Sequence, residues 1–204
     1  LGWLGMSLPE QYGGQGLPLV YPGLIIEEIG RVMAPVPLHS TMVAALTIDS
    51  DGTDQQKQDI LPAVADGKMV LTWAVHERDA RLIPEAMNLE AKADGDGWIL
   101  NGTKMFVSNG EHGDTFLLLA KTDRDAQPPY KGISAFIAEK GPGLEVSRHL
   151  DKLGYRGLDT SELMFQNFRV PAENLVGSEG GRGLQQILAG LELGRSNVCL
   201  LYVF

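Results

Sequence analysis

The chain has 204 residues, with 17 Lys and Arg against 26 Asp and Glu, a formal net charge of −9. Hydrophobic residues make up 44% and charged residues 21%, a globular composition that excludes a disordered chain. An acidic chain without a basic run is a poor partner for nucleic acid or an anionic membrane surface. Cys199 is its only cysteine, so no internal disulfide can form, and a reducing compartment, the cytoplasm, is expected.

The opening segment, Leu1-Gly-Trp-Leu-Gly-Met6, is apolar and does not begin with Met. The closing run, Val198 to Phe204, is apolar as well. Natural termini are usually polar, so both ends read as cuts in a longer protein. The closing run is also far shorter than the roughly 20 residues a membrane span needs.

Tyr21 to Met33 carries Leu24, Ile25, Ile29, Val32 and Met33 near i, i+4, i+8 spacing. This predicts a helix, ended by Pro35 and Pro37. Leu38 to Ile48 is a second apolar stretch, and Asp51-Gly52 a turn. Thr53-Asp-Gln-Gln56 fits a capping box that opens a third helix. Pro62 either kinks that helix or starts another. Ala65-Asp-Gly67 closes the region.

After Lys68 the period changes. Met69 to Val75 is rich in β formers, and Met87 to Ala93 alternates apolar with polar. Asp94-Gly-Asp-Gly97 signals a hairpin. Trp98 to Leu100 and Lys104 to Ser108 follow, split by an expected Asn101-Gly102 turn. Phe116 to Lys121, Ile133 to Glu139, Leu144 to Arg148 and Glu162 to Val170 complete a set of short strands, with Arg124 to Lys131 as a loop. From Gly183 the helical period returns through Leu184, Ile187, Leu188, Leu191, Val198 and Leu201. The expected fold is α+β: a helical domain at 1–68, an antiparallel β-barrel at 69–177, and the first, truncated helix of a further helical domain at 178–204.

Few residues carry chemistry by spacing alone. His39, His76, His112 and His149 are far apart, and none pairs with another ligand at metal-binding spacing. Gly177-Ser-Glu-Gly-Gly-Arg-Gly183 lacks the lysine and spacing of a phosphate loop and reads as a plain loop. No serine sits in a nucleophile elbow. Lys104-Met-Phe-Val-Ser-Asn-Gly110 is the informative segment. Its aromatic could stack on a flat ring and its hydroxyl meet the ring's edge. On periodicity alone the plainer reading prevails: Phe106 in the core and a hairpin at Asn109-Gly110.

From Gly2 to about Ser196 the chain resembles the acyl-CoA dehydrogenases. Eight short stretches carry the resemblance, in the family's order. They are Gly2-Trp-Leu-Gly-Met-Ser-Leu-Pro-Glu-Gln-Tyr-Gly-Gly-Gln-Gly16, followed by Glu27-Glu28; then Gln56-Lys-Gln-Asp-Ile-Leu-Pro62 with Ala65-Asp-Gly67. Next come Gly97-Trp-Ile-Leu-Asn-Gly-Thr-Lys104, Lys152-Leu-Gly-Tyr-Arg156, Asp159-Thr160, and Phe168-Arg-Val-Pro-Ala-Glu-Asn-Leu175.

The resemblance implies FAD as cofactor and an acyl-CoA substrate oxidised to the 2,3-enoyl-CoA, as in fatty-acid breakdown. It also implies an electron-transfer flavoprotein or similar acceptor, and assembly into homo- or hetero-oligomers. The family's Trp-Ile-Thr or Trp-Ile-Ser strand end, which packs on the flavin, corresponds here to Phe106, Val107 and Ser108. Thirty residues earlier the family has a Thr-Glu-Pro sequence and then Gly-Ser-Asp. Here that segment is His76-Glu-Arg-Asp-Ala-Arg-Leu-Ile83: Glu77 is retained, His76 stands for the Thr that donates to flavin, and Leu82 for the Ser that meets flavin or substrate. One of the family's two positions for its catalytic Glu corresponds to Gly194, so the base is expected beyond residue 204, and the fragment alone is expected to be inactive. Glu192 lies two residues off, about 200° around a helix. Glu192 and Arg195 correspond to positions on the CoA side of the substrate, or form a solvated pair at i, i+3. Two alternatives remain: a flavin-poor structural subunit of a mixed oligomer, and a flavin monooxygenase or oxidase on the same fold.

Overall fold

Three helices come first in the computed structural model, which describes residues 2–79, 81 and 83–201. They are α1 (Val20–Val32), α2 (Leu38–Asp51) and α3 (Asp54–Ala65). Met33, at a left-handed φ of 50°, caps α1. The stretch that follows it admits no further turn because of Pro35 and Pro37. Helix α2 buries Leu38, Thr41, Met42, Val43, Ala44, Ala45 and Ile48, so it is central, and its weak amphipathic pattern reflects burial on several sides. Pro62 lies inside a single helix, α3.

The capping box at α3 forms as expected. Thr53 Oγ1 accepts from Gln56 N at 3.2 Å, and Gln56 Oε1 accepts from Thr53 N at 3.0 Å. Gln56 does more than cap: its amide donates to the carbonyls of Glu173 (2.7 Å) and Leu175 (2.8 Å), tying the helices to the segment after the last strand. Thr53→Ala should cost about 1 kcal/mol in urea unfolding, and loosen this tie along with the helix start.

Seven strands follow: β1 (Leu71–Ala74), β2 (Glu90–Asp94), β3 (Gly97–Ser108), β4 (Thr115–Lys121), β5 (Ile133–Glu139), β6 (Leu144–His149) and β7 (Thr160–Pro171). They form one curled sheet in the order β1-β4-β2-β3-β7-β6, with β5 on the other side of β4. The α+β class is as expected, but the pairing is mixed. β1 runs parallel to β4, and β2 meets β4 in one parallel pair, Glu90 with Lys121. The chain leaves β1, turns back through the β2–β3 hairpin, and so enters β4 in the direction of β1.

Two sequence expectations change. Asn101-Gly102 is no turn, since β3 runs unbroken through it. Gly102 instead sits at a register shift with φ 143°, where a Cβ would lie 2.8 Å from Leu89 Cα. A second register shift, between Lys104 and Val107, makes a β-bulge at Met105 and Phe106. Phe106 takes φ 58° there and is 50% exposed, so it is not a core residue.

Two cores share the sheet. Phe116, Leu118 and Phe136 point into the curl with Leu89, Leu100, Val107, Leu163 and Phe165. Leu117, Leu119, Ala135 and Ile137 point the other way, against Ala45, Ile48, Leu61, Val64 and Ile187 of the helices. Strand β4 is therefore apolar without alternation because both of its faces are covered. The last helix, α4 (Gly183–Leu201), lies against α1, α2 and β5.

Candidate active site

The site lies where β1 and the far end of β3 run together beneath α2 and α4. The residues just after β1 are held to β3 one by one. Lys104 Nζ donates to the Val75 carbonyl at 3.2 Å. Met105 N, freed by the bulge, donates to the His76 carbonyl at 2.8 Å. Lys104 Nζ also meets Glu77 Oε1 at 2.9 Å, with Lys104 fully buried. Glu77 in turn accepts from the main-chain N–H groups of Asn88 (2.6 Å) and Leu89 (3.0 Å). Further along, the Thr72 hydroxyl donates to the Ser108 carbonyl.

The turn after Ser108 is anchored separately. Asn109, with φ 58°, donates through its side chain to Ser40 Oγ at 2.8 Å and through its N–H to the Asp159 carbonyl at 3.0 Å. The Asp159 carboxylate accepts from Glu111 N (2.9 Å), His112 Nδ1 (2.9 Å) and Ser161 Oγ (3.1 Å).

These ties frame a cavity of about 200 Å³, open on one side. Helix α2 supplies His39 and Val43, β1 supplies Trp73, the segment after it His76, the bulged strand Phe106 and Ser108, and α4 Gly194 and Arg195. His39 Nε2 lies 3.0 Å from the Gly194 carbonyl. A carbonyl only accepts, so Nε2 carries the proton. Burial holds the His39 pKa below the usual histidine value, with the Gly194 bond partly opposing it. His76 is also pushed down, first by burial and then by the Lys104 ammonium. The cavity thus presents a half-exposed aromatic face, a hydroxyl, two imidazoles biased toward neutrality and one guanidinium. Such a surface suits a flat ring with a polar edge.

His76, Phe106, Ser108 and Arg195 converge on this cavity. Val107 does not: its side chain is fully buried in the sheet core, so only its main chain can serve a ligand. Glu192 is exposed on α4 and does not line the cavity. Leu82 lies outside the described residues. Gly194 has no room for a longer side chain without displacement, since a Cβ there would meet Val43 Cγ2 at 3.1 Å. Sequence reasoning missed His39, Trp73 and the Lys104–Glu77 pair as parts of the site. A single histidine in the apolar run of α2, and a lysine just before the apolar Met105-Phe106-Val107 of a strand, were the available signals. Among the described residues no group of three His, Cys, Asp or Glu side chains could hold a metal ion, and no helix is long and apolar enough to cross a membrane.

Two family models match the chain: the acyl-CoA dehydrogenase N-terminal domain over residues 1–68 and the middle domain over residues 72–168. A mitochondrial isovaleryl-CoA dehydrogenase of Pongo abelii is 40% identical over 199 residues, which is 96% of this chain and 47% of that protein. The butyryl-CoA dehydrogenase of Megasphaera elsdenii superposes with a TM-score of 0.91 at 31% identity, covering 98% of this chain and 54% of that one. An acyl-CoA dehydrogenase from Geobacillus kaustophilus gives 0.90 at 36% identity, covering 98% and 53%. The chain spans about half the length of these relatives. In sequence across both matched domains, and in the path of its helices and curled sheet, the chain belongs to the acyl-CoA dehydrogenase family.

Proposed function

We propose that the whole protein is an FAD-dependent acyl-CoA dehydrogenase, and that this chain supplies one wall of its flavin and acyl-CoA site. The observation that carries the reading is the bulge at Met105–Phe106, which turns an aromatic face out of the sheet beside Ser108 and His76. The residues present fit a flavin in two respects: Phe106 offers a platform for a flat ring, and Ser108 and His76 offer donors to its edge. FAD, when bound, supplies a hydride acceptor for oxidation of an acyl-CoA to the 2,3-enoyl-CoA.

The chain's own contribution is placement. The bulge and the Lys104–Glu77 pair hold the ring-facing residues on a sheet, and α2 and α4 line the cavity with the apolar side chains of Val43 and Leu191. Arg195 places a fixed positive charge at the same cavity, suited to an anionic part of the substrate or to steadying a carboxylate. No side chain at Gly194 can take a proton, and Glu192 does not line the cavity; from the family resemblance we propose that the base for the α proton lies beyond residue 204. The domain division 1–68, 69–177 and 178–204, an electron-transfer flavoprotein or similar acceptor, homo- or hetero-oligomeric assembly and a cytoplasmic location belong to the same reading.

His76 favours a second reading, a flavin-poor structural subunit, because an imidazole stands where the family's pattern has a hydroxyl. The visible absorption spectrum of the full-length protein separates the two. An oxidised-flavin spectrum supports the enzyme; a protein that stays colourless with added FAD supports the scaffold. If His76 donates to the flavin, His76→Thr should keep or raise FAD affinity. His76→Ala should weaken it about fivefold, the worth of one neutral hydrogen bond. Unchanged affinity in His76→Ala would remove any side-chain role.

A further inference from the structure

The buried ion pair between Lys104 and Glu77 has no contact with the cavity, yet it is built into the cavity's frame. Lys104 is fully buried in the interior of β3, and Glu77 is nearly so. Burying two charges is costly, and an apolar pair of similar volume would serve stability as well or better. What the pair does uniquely is geometric. Together with Met105 N it fastens three consecutive residues, Val75, His76 and Glu77, to the bulge that turns out Phe106. Through Glu77 it also fastens the start of the 88–89 segment. The two rim elements that face the ligand, His76 and Phe106, are therefore held together by this pair on either side of the Met105–His76 main-chain bond.

We infer that Lys104 and Glu77 are a positioning pair for the ligand site, holding the main chain of Val75, His76 and Glu77 against the bulge that presents Phe106. The ligand part of this inference rests on the flavin reading above. The electrostatic influence of the pair on His76 does not. Among the described residues, the titratable and charged groups that line the cavity with His76 or pair in its frame are His39 from α2, Arg195 from α4, and Lys104 from β3 with its partner Glu77; Arg78 and Asp79 follow His76 along its own segment. Only Lys104 couples to His76 among the causes of its lowered pKa besides burial, whereas His39 is lowered by burial without any part from Lys104. His39 is thus an internal control in the same cavity.

The test uses the full-length double variant Lys104→Met/Glu77→Gln. It removes both charges together, leaves one acceptor oxygen where the Asn88 and Leu89 N–H groups had two, and avoids the orphaned charge that either single change creates. Three readouts are taken: the melting curve, the FAD dissociation constant by fluorescence, and the titrations of the two ring signals by NMR, assigned with His39→Gln and His76→Gln. The expected result is a folded protein, FAD binding weaker by about tenfold or more, as is typical when a group that orients a ligand-contacting residue is lost, and a His76 pKa that rises while His39 stays. A folded variant with His76 titrating as in the parent overturns the electrostatic role, and one that binds FAD as the parent does overturns the positioning role. If the parent itself binds no FAD, the flavin reading fails. The His76 and His39 titrations then still decide the electrostatic role of the pair.

Discussion

Glu77→Leu should lower the unfolding free energy of the full-length protein by about 3–5 kcal/mol, the usual result of stripping the partner from a buried charge. The Lys104 ammonium would keep one carbonyl, that of Val75, and the N–H groups of Asn88 and Leu89 would lose their acceptor. The loss should also depend on pH with a defined sign. Burial holds the Lys104 pKa below the usual lysine value, and Glu77 opposes that shift. Without Glu77 the folded-state value falls further, while the unfolded chain keeps the ordinary value of about 10.4. Between the two values the unfolded state binds more protons, so the variant should gain stability as pH rises through that window. Adding Lys104→Met to Glu77→Leu should recover the part due to the orphaned charge, leaving the cost of the Asn88 and Leu89 N–H groups without an acceptor. Urea unfolding at a series of pH values checks both claims. A Glu77→Leu midpoint equal to that of the parent, flat with pH, would show that the ammonium is neither buried nor dependent on Glu77.

That pair also shows which parts of the site could be read from the residues in order. The helix–sheet–helix sequence is legible because burial imposes its period on apolar residues: α1, the alternation approaching β2, and α4 all follow it. The capping box at Thr53 and Gln56 is legible because both partners are local. The bulge at Met105–Phe106 is not, since it is a mismatch between β3 and β7, strands some 60 residues apart in the chain. Straight alternation places Lys104, Phe106 and Ser108 on one face. The bulge instead buries Lys104 and turns Phe106 outward. Nor does His39 announce its partner, the Gly194 carbonyl, which is 155 residues away. The family's motifs drew attention to His76 and to Phe106–Ser108 without giving the ties that bring them together. Those ties, from Lys104, Met105 and Thr72, run across strands and appear only in three dimensions.

Within α4 the largest steric effect should come from Gly183→Ala. Gly183, Gly190 and Gly194 are spaced seven and four apart, so they share one side of α4, and each marks a close approach. A Cβ on Gly190 would meet Thr47 Oγ1 at 2.3 Å and the Trp73 ring at 3.1 Å, and one on Gly194 would meet Val43 Cγ2 at 3.1 Å. Those obstacles are side chains, which can turn or shift. A Cβ on Gly183 would lie 2.4 Å from the Ser134 carbonyl carbon and 2.5 Å from Ala135 N. That obstacle is the main chain of β5, fixed by its pairing with β4 through Ala120↔Ser134 and Leu119↔Ala135. The strand cannot yield without breaking its ladder, so the start of α4 must move instead. Gly183→Ala should cost about 3 kcal/mol in urea unfolding, against about 1 kcal/mol for Gly190→Ala. The displacement should reach the site, because α4 carries Gly194, whose carbonyl bonds His39, and Arg195. In Gly183→Ala the His39 ring signal should therefore shift, and FAD affinity should fall with it. A Gly183→Ala protein that unfolds at the parent's midpoint with an unchanged His39 signal would mean that α4 does not rest on β5, and that the cavity has a different wall.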